Sequence, residues 1–275
     1  MRDGSAGHAF AFGPPTLIYL IINNMKLTGF ASPGIVCFGI ATFAFGIQNF
    51  IYGDFVMGRA PSGGLVWAYV SGTLLTGAGV AMLLRKGWTA CIVVGLMVFF
   101  WALLRHILAG HFNWGTEITQ TGKAWTLFGG ALTTAAFMPK DFLSRRAVRG
   151  NYSDKFILVG RVGLAAFMVI CGIEHFMFVE SVKLLVPQWI PGDVFWTWFA
   201  GVALIAGGVG LLVPKTMTIA ALLSGVMVFI WFLILHIPRA IFSQGGGNEW
   251  IAVFEALAVS GIAFLLASAD KGVET

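Results

Sequence analysis

Val194–Val213 reads VFWTWFAGVALIAGGVGLLV, a run with no ionisable side chain and no alternation of apolar and polar positions. A helix rises about 1.5 Å per residue, so roughly 20 residues cover the hydrocarbon core of a bilayer. Lipid offers the backbone no hydrogen-bond partners, so the run is expected to be a membrane-spanning helix. A strand of a transmembrane β-barrel would alternate apolar and polar residues, and this run does not. The apolar stretches of this kind lie at 34–53, 65–84, 88–106, 124–139, 156–178, 194–213, 217–237 and 250–268. With 58% hydrophobic and 11% charged residues in a chain of 275, and a mean hydropathy of +0.86, the composition is too apolar for a soluble interior. The expected fold class is all-α, a polytopic membrane protein with about eight transmembrane helices.

The same run belongs to one of two similar tracts. Gly172-Ile173-Glu174-His175-Phe176 is followed by Trp196, Gly201 and Gly208, then by Gly225-Val226-Met227-Val228-Phe229-Ile230-Trp231 and His236. Upstream, Gly46-Ile47-Gln48-Asn49-Phe50 is followed by Trp67, Gly72 and Gly79, then by Gly95-Leu96-Met97-Val98-Phe99-Phe100-Trp101 and His106. Self-similarity over this length points to duplication. The chain accordingly divides into an N-terminal interfacial segment (1–30), a first four-helix repeat (31–140), a basic linker (141–155) and a second four-helix repeat (156–269). In the first segment the apolar run 9–22 is interrupted by Gly13-Pro14-Pro15, and no small-residue cleavage site follows a basic region, so a cleaved signal peptide is not expected. An even number of spans per repeat makes the copies run in one direction, as parallel four-helix bundles related by an axis along the membrane normal.

Basic residues set the orientation. Lys140, Arg145, Arg146, Arg149 and Lys155 lie between the repeats, and Arg85, Lys86 and Lys215 lie in the other even-numbered turns. By the positive-inside rule these turns and both termini face the cytoplasm. The net charge of +5 and pI of about 9.3 then belong to helix ends beside anionic lipid, and no nucleic-acid partner is expected. Cys37, Cys91 and Cys171 fall inside spans without CxxC spacing, so they read as packing residues, and no haem-attachment or iron–sulfur motif is present. The glycines of spans two and six read as close-packing positions, with no phosphate-loop spacing among them.

Ionisable residues collect at one depth in the second repeat: Glu174 and His175 on span five, His236 and Arg239 at the end of span seven, Glu255 near the end of span eight. Such groups are expensive near lipid unless they pair or face water. One reading is a brace, in which Glu174 or Glu255 neutralises Arg239 and the histidines donate to carbonyls. The other is a ligand site, in which His and Arg donate to the ring carbonyls of a quinone, a carboxylate or imidazole exchanges protons, and Trp189 and Trp196 flank the ring. Two Glu and two His also form a familiar metal set. Adjacent helix residues diverge by about 100°, however, and no Glu-x-x-His motif occurs, so no metal is expected. Gln48 and Asn49 replace Glu174 and His175 in the first repeat, so if the chain has one site, the second repeat holds it. A solute transporter would want broken helices at mid-membrane, whereas the prolines here fall at span ends.

The second repeat resembles the DoxX-like family of four-helix bacterial membrane proteins. The likeness rests on Gly172-Ile173-Glu174-His175-Phe176, on Val186-Pro187 with Trp189 and Pro191, on Trp196 and Gly201, and on Leu235-His236-Ile237-Pro238-Arg239. It implies a four-helix bundle per repeat, a bacterial inner-membrane location and an association with membrane redox systems, since relatives include subunits of thiosulfate:quinone oxidoreductase. An accessory subunit follows more readily than an enzyme acting alone, with quinone as cofactor and electrons supplied by protein partners in an oxidoreductase complex. The expected ligand set is Glu174, His175, His236, Arg239, Glu255, Trp189 and Trp196. The alternative is a noncatalytic anchor or assembly subunit, because fold alone does not fix function.

Overall fold

A computed structural model of the chain describes Gly29 and residues 31–56, 64–109, 114–115, 117–142, 152–243 and 247–269, the side chains of 105–109 excepted. The expected interfacial segment, Arg59, His111, the side chains of Arg105 and His106, and Arg145, Arg146 and Arg149 of the linker lie outside the described residues. The long helices are α1 (Ala31–Tyr52), α2 (Gly64–Leu83), α3 (Trp88–Ala109), α4 (Glu117–Ala136), α5 (Ser153–Met177), α6 (Asp193–Leu212), α7 (Met217–Phe242) and α8 (Gly247–Ala267). Six of them, α1, α2, α5, α6, α7 and α8, are long and apolar enough to cross a membrane. In α3 the apolar stretch is the shorter Trp88–Leu104.

α4 departs most from the expected boundaries. It begins at Glu117 rather than 124, because its first two turns carry Glu117, Thr119, Gln120, Thr121 and Lys123, which a hydropathy reading assigns to a loop. Three of its threonines return their hydroxyls to the preceding turn: Thr126 donates to the Gly122 carbonyl at 2.8 Å, Thr133 to Gly129 at 2.9 Å and Thr134 to Gly130 at 2.8 Å. Side chains satisfied in this way bring little unpaired polarity into an interior. Thr126, Thr133 and Thr134 are fully buried. A helix surrounded by protein need not be as apolar as one facing lipid.

α7 also runs on past its expected end. Between Phe232 and His236 it widens into a π-helical turn, in which the Ile237 N–H donates to the Phe232 carbonyl, and it then continues to Phe242. Pro238 has no N–H and its ring crowds the preceding turn, and an inserted π turn accommodates both. Pro238 therefore interrupts a helix instead of terminating one.

Neighbouring helices pack in chain order, α1 on α2 through to α7 on α8, and α8 returns to pack along α1. The intimate contacts recur between the two halves of the chain. A Cβ on Gly46 would lie 2.8 Å from the Gly72 carbonyl oxygen, and one on Gly172 would lie 2.8 Å from that of Gly201. Between α4 and α5 a Cβ on Gly129 would lie 2.8 Å from the Gly160 Cα, and between α8 and α1 one on Gly261 would lie 2.8 Å from the Gly34 carbonyl oxygen. Small residues at these points let the backbones approach. By contrast α1 barely meets α4, and α5 meets α8 only slightly, so neither half closes on itself. Each is sealed by the other, and α4 meets α8 between them.

Candidate functional site

The packing of α6 against α7 is looser than that of α5 against α6, and a cavity of about 1370 Å³ opens beside it. α5, α6, α7 and α8 form its walls. The segment after α5, a short helix Val179–Val182 and a 3-10 turn Lys183–Leu185, covers one end with Val182, Leu185, Val186, Pro187 and Ile190. The other end reaches Gly210, Val213 and Thr216 at the α6–α7 turn. Between Ile219 and His236 on α7 the cavity runs for roughly 25 Å at the helical rise. Its shaft is apolar, with the small side chains of Ala200, Ala203 and Ala206 on α6 leaving the room.

Polar groups gather at the covered end. Lys123 reaches in from α4 and donates to Glu255 Oε2 at 2.6 Å, forming an ion pair between the two halves of the chain. Glu255 is 8% exposed and its Oε1 has no hydrogen-bond partner among the described residues. His175 Nδ1 lies 2.7 Å from the Cys171 carbonyl. A carbonyl only accepts, so Nδ1 carries the proton and Nε2 of the neutral ring is left as an acceptor. Thr197 donates to the Asp193 carbonyl at 2.8 Å, which leaves its oxygen lone pairs free to accept. His236 joins the lining from the π turn, and Trp231 and Trp196 add aromatic wall. The Trp196 indole N–H donates to the Pro191 carbonyl at 3.2 Å and ties the covering segment to α6. In that segment Lys183 pairs with Glu180 at 2.6 Å. The hydrogen bond to Glu180 raises the Lys183 pKa above its ordinary value.

Of the residues expected from sequence, His175, His236, Glu255 and Trp196 line this cavity; Glu174, Arg239 and Trp189 do not. Glu174 is buried on α5, where its Oε1 accepts from the Gly115 N–H at 3.0 Å and from the Thr119 hydroxyl at 2.5 Å. It braces the entry to α4. Arg239 lies 3.6 Å from Glu249 in the first turn of α8, so its partner is neither Glu174 nor Glu255. Trp189 is 70% exposed on the covering segment. Sequence reasoning missed Lys123 and Thr197. Hydropathy places Lys123 in a loop; the signal that it is helical is the run of Gly and Thr at helical spacing on both sides of it.

At the corresponding sequence positions of the first half, aromatic side chains pack on one another. Trp67 and Trp101, counterparts of Trp196 and Trp231, pack edge to face at 5.5 Å, and Phe55 stacks on Trp101 at 5.7 Å. Asn49, in the place of His175, donates to the Ser71 hydroxyl at 2.8 Å and accepts the Val56 N–H at 3.0 Å, which holds Phe55 and Val56 inward. A smaller recess of about 350 Å³ remains beside Asp54 and Gly247. Among the described residues no three His, Cys, Asp or Glu side chains converge as a metal-ligand group.

A family described as "Domain of unknown function (DUF8561)" matches residues 164–267. That stretch contributes every residue of the cavity lining except Lys123 and Leu127. Comparisons with curated proteins and with solved structures give no match.

Proposed function

We propose that this chain is a bacterial inner-membrane subunit whose second half holds a quinone or similar tailed, lipid-soluble molecule near the outer face. In this reading all eight long helices cross the bilayer as two repeats of one polarity, with α4 shielded from lipid by its neighbours. The observation that carries it is the shape of the cavity. A long apolar shaft of roughly membrane-core length ends in a small set of polar side chains, which is the outline of one ring on one hydrocarbon tail. At about 1370 Å³ it exceeds the roughly 300–1,000 Å³ of an ordinary small-molecule site, leaving room for the tail. The resemblance to DoxX-like proteins supplies the redox setting, in which the chain carries no electron relay of its own and serves an oxidoreductase complex.

The test is to purify the chain and its His236→Ala variant in mild detergent, extract the lipids and quantify quinones by mass spectrometry. Near-stoichiometric quinone on the parent, falling several-fold on the variant while monodispersity and partner capture persist, supports the site. Quinone at the level of bulk lipid in both removes it. Loss of captured partners with no change in quinone favours the anchor reading.

A further inference from the structure

We infer that the head group this cavity accepts is a hydrogen-bond donor: a neutral, hydroxyl-bearing ring such as a quinol, held in preference to the corresponding quinone. This rests on the reading of the cavity as a quinone-type site and specifies which redox form it favours. The reason is the inventory of hydrogen-bonding groups at the covered end. Glu255 is a carboxylate with several lone-pair positions, of which Lys123 uses one oxygen, and Oε1 has no partner among the described residues. His175 spends its proton on the Cys171 carbonyl and presents Nε2 as an acceptor. Thr197 likewise spends its hydrogen on Asp193. Acceptors therefore face a ligand from α5, α6 and α8, against the remaining ammonium hydrogens of Lys123, the Trp231 indole N–H and the single N–H of a neutral His236, whose other ring nitrogen accepts.

A quinone offers this set only further acceptors, and buried acceptors left without donors are destabilising. A quinol has two hydroxyl hydrogens, one able to reach His175 Nε2 and one able to reach the Glu255 carboxylate. The charge balance agrees. Lys123 is already neutralised by Glu255 at 2.6 Å, so a phosphate or carboxylate head would enter beside an existing carboxylate with no unspent cation to receive it. Arg239, the nearest candidate cation in the sequence, is paired with Glu249 and absent from the lining. Two residues from different halves of the chain thus set the head-group chemistry, with Lys123 holding the carboxylate that accepts.

The experiment titrates the full-length protein in detergent, under anaerobic conditions, with decylubiquinol and with decylubiquinone, and reads quenching of tryptophan fluorescence. Trp196 and Trp231 in the lining report directly. The expected result is about tenfold tighter binding of the quinol, the scale of one or two well-placed hydrogen bonds. His175→Phe should lower the quinol affinity several-fold and reduce the preference to what the remaining hydrogen bond to Glu255 supplies, with quinone binding unchanged. Equal affinities in the parent protein, or tighter quinone, overturn the donor inference and leave the quinone-type site standing. Absence of binding by both compounds overturns that reading and this one together. An unaltered preference in His175→Phe overturns the role of Nε2, and the parent ratio decides the remainder if that variant does not fold.

Discussion

Lys123 and Glu255 form an ion pair between the two halves of the chain, and the burial of Glu255 beside a half-buried Lys123 decides what substitution does to them. Removing one partner of a buried pair leaves an uncompensated charge at a cost of about 3–5 kcal/mol, whereas replacing both by apolar groups of similar volume is often close to neutral. Lys123→Met and Glu255→Met should each lower the melting temperature in detergent markedly, and the double variant should recover most of the loss. A double-mutant cycle on thermal melts measures the coupling. Additive losses would mean that water, not the partner, solvates each group. The fate of Glu174 shows where sequence reading stops at this scale. Its depth along α5 was legible, but its azimuth and the Gly115 N–H and Thr119 hydroxyl that meet it were not, because those partners lie 59 and 55 residues away along the chain. A costly carboxylate near lipid must be paired; sequence gives no means to say by what.

At the scale of single elements, α7 and α4 are informative because both depart from ideal periodicity. The π turn at Phe232–His236 inserts an extra residue into the helix and so rotates everything after it. That rotation sets where His236 points relative to Trp231, and Pro238 is its cause. In Pro238→Ala the N–H at 238 returns and an ordinary α-helical turn becomes available. The variant should melt at the same temperature or higher while retaining less quinone after purification; thermal melting and lipid extraction on one preparation check both parts. A lower melting temperature with full quinone retention would show instead that the π turn serves packing alone. The helix positions were legible within a few residues for α1, α2, α5 and α6, because helices suited to lipid are apolar on every face. α4 was displaced by seven residues, from 124 to Glu117. Its polarity is affordable because protein, not lipid, surrounds its buried side.

For the whole molecule, the two halves share a pattern of close contacts without sharing a cavity. The Gly46–Gly72 approach recurs at Gly172–Gly201, and Gly129–Gly160 recurs at Gly261–Gly34. This supports two repeats of one polarity, a proposal with a direct check. Single cysteines at Trp189 and Glu249 should react with an impermeant maleimide added outside intact cells, and cysteines at Lys155 and Lys215 only after permeabilisation. Labelling of Trp189→Cys and Lys215→Cys from the same side would sink the eight-span topology, since a helix of membrane-crossing length, α6, separates those positions.

By itself the sequence determined that the chain is helical and suited to a membrane, where its apolar runs fall and that it says one thing twice, because hydropathy and self-similarity are properties of residues in order. It also named four of the residues that line the cavity. The fold alone shows that Phe55 and Trp67 pack on Trp101 in the first half while a cavity opens beside α6 and α7 in the second, that Lys123 crosses from one half to serve the other, and that Glu174, Arg239 and Trp189 stand apart. Those outcomes depend on which side of each helix meets which neighbour, and on where an extra helical residue turns a side chain. Distances across a bundle are fixed by packing among residues far apart in the chain, and no local pattern records them.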